Sequence, residues 1–299
     1  MTTIHLSDIN KFYITSSRSS NDTVNKLRES IISATINNKL PEQWYTKIPK
    51  WMELKNNIAS FFKNIYGDFK KIKLIKKAGR KHNFDFIIKV DGKKHDWEWK
   101  FGASCISECP QFVSPMKPSQ YFNINFEQFF YENYLIKLCH EFNLHIPDKT
   151  TYINGIHSNN PSCVNHLQET YYQGCSKSSQ FTNELNAINF YNKAKQYSKQ
   201  GITEFLQNAI LNTSKLTYYF LTKNQANKNY ILCKNNTLYY DKLEEKNLKI
   251  IQSSLKLNDK KNGYICNTES GIQLNILLRW KNGNGIAYPA FQIKQQNIK

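Results

Sequence analysis

The sequence is poor in chain breakers. With 11 Gly and 8 Pro in 299 residues, collagen-like and linker-dominated architectures are excluded. No apolar run approaches the roughly 18 residues of a bilayer-spanning helix, and the opening MTTIHLSDINKFYITSS has no apolar signal core. No membrane partner is expected. Acidic residues are scarce, 23 Asp+Glu against 41 Lys+Arg, which leaves a formal net charge of +18. Arginine is scarcer still: Arg18, Arg28, Arg80 and Arg279 stand beside 37 Lys. The seven cysteines include no CxxC pair, so His157, Cys163, His166 and Cys175 read as ordinary thiols and loop imidazoles rather than a zinc site. His140-Glu141 and His145 are spaced one residue too far for two imidazoles to share a helix face. No Walker A loop, dinucleotide fingerprint or Gly-x-Ser-x-Gly elbow is present.

What is there is a folded chain: 40% hydrophobic and 14% aromatic residues exclude disorder. Odd, scattered cysteines without a secretion signal point to reduced thiols in an intracellular compartment, cytoplasm or nucleus. A basic folded chain points to a polyanion partner, nucleic acid first. The 37 Lys and 36 Asn are also what an AT-rich coding sequence, such as a giant virus's, would give without selection for binding.

Along the chain, Val24, Leu27, Ile31, Ile32 and Thr35 predict a helix over 22–37. Trp51, Leu54, Ile58, Phe61 and Ile65 predict a second from Pro49 or Lys50 to Tyr66, closed by Gly67. The period then changes: 69–77, 84–90 and 95–101 read as strands, the last two joined through Asp91-Gly92, a strong hairpin signal. A long helix follows at 126–142, residues 146–183 read as loop or insertion, and helices are expected near 184–212. Strands return at 230–233, 237–240, 272–280 and 286–293, with Pro289 expected to put the last at an edge or bulge. A single elaborated α/β (α+β) domain is expected, with a core at about 45–145 and a C-terminal elaboration at about 146–299.

Pairing the strands outward from a two-residue turn puts Val90 opposite Lys93, Ile88 opposite His95, and Asp85 opposite Glu98. One face then shows Phe84, Phe86, Ile88 and Val90 against Trp97, Trp99 and Phe101. The other shows Asp85, Ile87 and Lys89 against Asp96, Glu98 and Lys100. Two carboxylates directly across a strand pair repel each other. Solvation, a shared proton or a cation relieves that. Hard divalent ions take such oxygen ligands with water and substrate phosphate, and Lys100 falls on the same face. Two acids and a lysine around a metal suit phosphodiester hydrolysis. A solvated polar face on an amphipathic hairpin is the plainer account, although Asp is a poor strand former.

Asp85, a twelve-residue gap, then Glu98-Trp99-Lys100 resembles the PD-(D/E)xK nuclease superfamily, the restriction-endonuclease-like fold. The resemblance spans about residues 45–145, with Phe84 where the motif has Pro. It implies a mixed central sheet flanked by helices and a metal-dependent nuclease, most naturally a DNA endonuclease using Mg²⁺ or Mn²⁺. Asp85, Glu98 and the Trp99 carbonyl would be metal ligands, Lys100 the catalytic lysine, and Glu53 a further acid from the preceding helix, with Glu29 and Glu42 competing for that role. Arg80, Lys81, Gln111, Arg279 and Lys281 are candidates for nucleic-acid contact, with DNA favoured over RNA. The C-terminal half is expected to build substrate contacts or a homodimer interface. Two rivals stay open: a catalytically idle nucleic-acid binder on the same scaffold, and a structural or packaging protein whose charge reflects composition.

Overall fold

Proline at the start of a helix costs no hydrogen bond, and glycine just past its end accepts a positive φ. Pro49 and Gly67 (φ 72°) bracket a helix in this way in the computed structural model. The structure describes residues 3–15, 21–77, 84–109, 111–113, 118–156, 166–218, 221, 228–244, 248–279, 286 and 289–296. Its first helices are α1 (Ile9–Tyr13), α2 (Asn21–Ile36), α3 (Glu42–Lys47) and α4 (Pro49–Tyr66). The strands are β1 (Ile72–Lys76), β2 (Phe86–Val90), β3 (Lys93–Phe101), β4 (Gln111–Val113), β5 (Lys228–Lys234), β6 (Thr237–Lys242), β7 (Lys256–Leu257), β8 (Gly263–Asn267), β9 (Gln273–Arg279) and β10 (Ala290–Gln296). The chain divides into two compact units, Met1–Cys109 with Thr222–Glu245, and Pro110–Leu221 with Lys246–Lys299.

The first unit is built on a mixed sheet in the order β1-β2-β3-β5-β6, antiparallel except where β5 runs parallel to β3. One face carries Leu74, Phe86, Ile88, Val90, Trp97, Trp99, Ile231 and Cys233, all buried in one core with Leu27 and Ile31 of α2 and Trp51, Leu54, Ile58 and Phe62 of α4. Each large apolar side chain fully buried there stabilises the fold by about 1.5–3 kcal/mol. Arg28 of α2 is buried in this unit: it donates to the Phe12 and Ile14 carbonyls and stacks 3.5 Å from the Phe101 ring centroid. The sheet edge at β1 is covered by one amide. Asn37 donates to the Leu74 carbonyl (2.8 Å) and accepts the Leu74 N–H (3.0 Å), completing the ladder a further strand would make.

The second unit joins an antiparallel sheet, β4-β10-β9-β8-β7, to helices α5 (Phe126–Phe130), α6 (Ile136–Glu141), α7 (Lys149–Gly155), α8 (His166–Gly174) and α9 (Leu185–Asn208). The expected helix over 126–142 is interrupted by a π-helical stretch at Tyr131–Leu135. Residues 146–183, expected as loop, contain α7 and α8. Polar composition hides α8, which buries Leu167, Gln168, Tyr171 and Gly174. Strand β10 is flanked by both β4 and β9, so Pro289 lies ahead of an internal strand rather than within an edge one. The grouping by units also differs from the sequence boundaries. The helix at 126–141 lies in the second unit, whereas β5 and β6 complete the first unit's sheet.

Candidate functional site

The hairpin has the register expected of a two-residue turn: Val90 pairs with Lys93, Ile88 with His95, and Phe86 with Trp97. Asp91 and Gly92 both take positive φ (47° and 87°), the backbone of a type I′ turn. The Asp91 carboxylate accepts the Lys70 and Lys71 N–H groups, holding β1 in place. The pleat therefore puts Ile87 and Lys89 on the same sheet face as Asp96, Glu98 and Lys100, opposite the tryptophan core.

The ladder ends at Phe86–Trp97, and the expected direct pairing of Asp85 with Glu98 is not formed, because the Asp85 N–H turns to the carbonyl that already faces Phe86. The Asp85 N–H donates to the Trp97 carbonyl, its carbonyl accepts the Lys77 N–H, and its Oδ2 accepts the Trp99 N–H at 2.9 Å. N–H and C=O of one strand residue point to the same side, so the Trp99 carbonyl faces the Asp85 edge as well. Glu98 projects from the sheet between two ammonium groups. Lys100 Nζ donates to its Oε1 at 2.5 Å, and Lys228 Nζ lies 3.5 Å from its Oε2. Lys228 opens β5, where it pairs with Asp96, and its side chain is 5% exposed.

Burial and charge pull these groups apart in acidity. Burial, then the charges of Glu98 and Glu29, push the Asp85 carboxyl up to about 7, against the Trp99 N–H and Lys100, which favour its charged form. Burial also opposes ionisation of Glu98, yet Lys100 and Lys228 hold it below the usual carboxylate range. Burial depresses the Lys228 ammonium despite Glu98, whereas Glu98 overcomes burial at Lys100 and raises it. The site thus contains one carboxylate satisfied by two cations and a second, Asp85, short of positive charge. Two carboxylates and a backbone carbonyl are hard oxygen donors. Among the described residues no group of three or more His, Cys, Asp and Glu side chains forms a metal cage. Two carboxylates are as many as Mg²⁺ usually takes from a protein, since it keeps several waters.

Of the expected site residues, Asp85, Glu98, Trp99 and Lys100 come together. Glu53 does not join them: it is exposed on α4, and it acts on the Tyr13 phenol, secondary to burial. The helix carboxylate whose charge reaches Asp85 is Glu29 of α2, which also lies 3.9 Å from Lys76. Gln111 and Arg279 belong to the second unit's sheet, in β4 and at the end of β9, where Arg279 donates to Gln292. Arg80, Lys81 and Lys281 lie outside the described residues, as do His157 and Cys163. No disulfide joins any two of the six described cysteines. No described helix is long and apolar enough to cross a membrane.

Lys228 was not legible beforehand, because 130 residues separate it from Glu98 and nothing local marks the parallel pairing that unites them. No protein-family model and no curated protein matches the chain.

Proposed function

We propose that the chain is a metal-dependent nuclease of restriction-endonuclease-like type, hydrolysing phosphodiester bonds in DNA. The observation that carries this reading is the gathering of Asp85, Glu98 and Lys100 around the end of β3, with Asp85 pinned to the Trp99 N–H and Lys100 on Glu98. The residues fit a divalent ion, Mg²⁺ or Mn²⁺. Asp85, Glu98 and the Trp99 carbonyl would hold it, and when bound it would supply a Lewis acid and an acidified water. The protein's own part is positional and electrostatic. Lys100, kept charged by Glu98, orients the attacking water and offsets the negative charge that grows on the phosphate in the transition state. Lys228 holds the second Glu98 oxygen and so fixes the carboxylate's rotamer. Trp97 and Trp99, buried on the reverse face, make the strand a rigid support.

The experiment is cleavage of circular and linear DNA and of RNA, with Mg²⁺, with Mn²⁺ and with chelator. Glu98→Gln and Lys100→Ala should each lower the rate about 10²–10³-fold. Glu98→Gln should also weaken Mn²⁺ binding, which Lys100→Ala leaves in place. Wild-type protein that binds DNA but never cuts it, or Lys100→Ala cutting as fast as wild type, removes the nuclease reading and favours an idle binder.

A further inference from the structure

Lys73, Lys89 and Lys94 form a straight row across three adjacent strands. Lys73 of β1 pairs directly with Lys89 of β2, and Lys89 with Lys94 of β3. All three stand on the face that carries Glu98. Lys73 and Lys94 are exposed and Lys89 half-buried. Like charges directly opposite one another on a sheet are destabilising. Elsewhere this protein pairs surface lysines with acids, as in Lys149–Glu132 (2.6 Å) and Lys249–Glu269 (2.9 Å). The three ammonium groups of the row have no ion-pair or hydrogen-bond partner among the described residues. Compositional excess of lysine accounts for scattered charges, not for three in register that repel one another without a counter-charge.

We infer that the row is a contact for the phosphate backbone of DNA, set to one side of the acid site on the same sheet face. At strand spacings of about 4.8 Å the row is about 10 Å long, and four residues of strand at about 3.3 Å place its Lys94 end about 13 Å from Glu98. Between the row and the acids lie Ile75, Ile87 and Asp96. This inference names a substrate contact of the proposed nuclease and rests on that reading for the location of the reacting phosphate.

The test measures binding and cutting separately. Binding of short duplex DNA is followed by fluorescence anisotropy in chelator over a series of salt concentrations. The protein carries Lys73→Gln, Lys89→Gln and Lys94→Gln singly and together. A control carries Lys199→Gln, Lys256→Gln and Lys260→Gln, three exposed lysines of the second unit. The slope of log affinity against log salt should shrink by about 0.9 for each row lysine removed, stay unchanged in the control, and be kept by Lys→Arg at the row. The Gln variants should melt at or above the wild-type temperature, because repulsion is relieved. A row variant with the wild-type slope, or a control that loses as much, overturns the contact. Row-dependent binding that prefers RNA overturns its assignment to DNA. Row-dependent binding without any cleavage leaves the contact and removes the nuclease, whereas cleavage with an unchanged slope does the reverse.

Discussion

Asp85 does for Trp99 what the next backbone carbonyl of β2 would otherwise do, accepting its N–H at 2.9 Å through a side-chain oxygen. The residue therefore combines a structural bond with a charge. Asp85→Asn keeps an acceptor oxygen and loses the charge, so the fold should survive while Mn²⁺ binding and cleavage vanish. Asp85→Ala orphans the Trp99 N–H and should cost about 1–3 kcal/mol. Urea denaturation beside calorimetric Mn²⁺ titration separates the two. Equal stability of the variants would show that the bond contributes nothing.

Stability should depend on pH through the same carboxyl. Its folded pKa, about 7, lies above the ordinary 3.8. Between those values the folded state keeps a proton that the unfolded state has released, so unfolding free energy falls as pH rises through that window. Above it the folded protein carries the full penalty of a buried charge. Urea midpoints in chelator should therefore drop across the window in wild type and stay flat for this term in Asp85→Asn. Added Mg²⁺ should restore wild-type stability above the window and leave Asp85→Asn unmoved.

The two lysines on Glu98 should prove interdependent. Lys228→Met leaves Glu98 one ammonium and should cost about 1.5–3 kcal/mol, the worth of a hydrogen bond to a charged group. Removing both lysines strands a buried carboxylate and should cost about 3–5 kcal/mol unless Glu98→Gln accompanies it. A double-mutant cycle in urea checks this, and strictly additive losses would separate Lys228 from the site.

Asn37 closes the β1 edge with two hydrogen bonds to Leu74. Asn37→Ala should cost about 1–3 kcal/mol, at about 0.5–1.5 per bond, and the Leu74 amide should exchange with solvent faster by hydrogen-exchange mass spectrometry. Unchanged protection at Leu74 would mean that the edge is covered in another way.

How much of this was legible follows sequence distance. Asp91-Gly92 demands two positive φ angles, which fixes the turn, and the turn fixes the register as far as Phe86–Trp97 and the face that Glu98 and Lys100 share. Every residue involved lies within one hairpin. The choice of helix carboxylate was not local. Helices α2 and α4 both pack on the tryptophan face, and only the packed structure shows that Glu29 rather than Glu53 influences Asp85. Helix α8 was hidden by polarity and by Gly174, whose missing side chain is required because a Cβ there would meet the Ala187 carbonyl oxygen at 1.9 Å. The lysine row needed both registers, β1 on β2 and β2 on β3, and only the second is set by a tight turn.

The parallel pairing of β3 with β5 has a consequence for synthesis. Lys228 is translated 130 residues after Glu98. At about 5–20 residues per second that is a wait of roughly 6 to 26 seconds. Until then Glu98 has Lys100 alone, and the sheet ends at β3 with an open edge. The emerging N-terminal portion can form its hairpin and helices but not the completed site. A nascent chain of this protein is thus chemically unfinished until β5 has left the ribosome, and a truncation anywhere before β5 should yield protein with the acids but without the charge balance that Lys228 gives them.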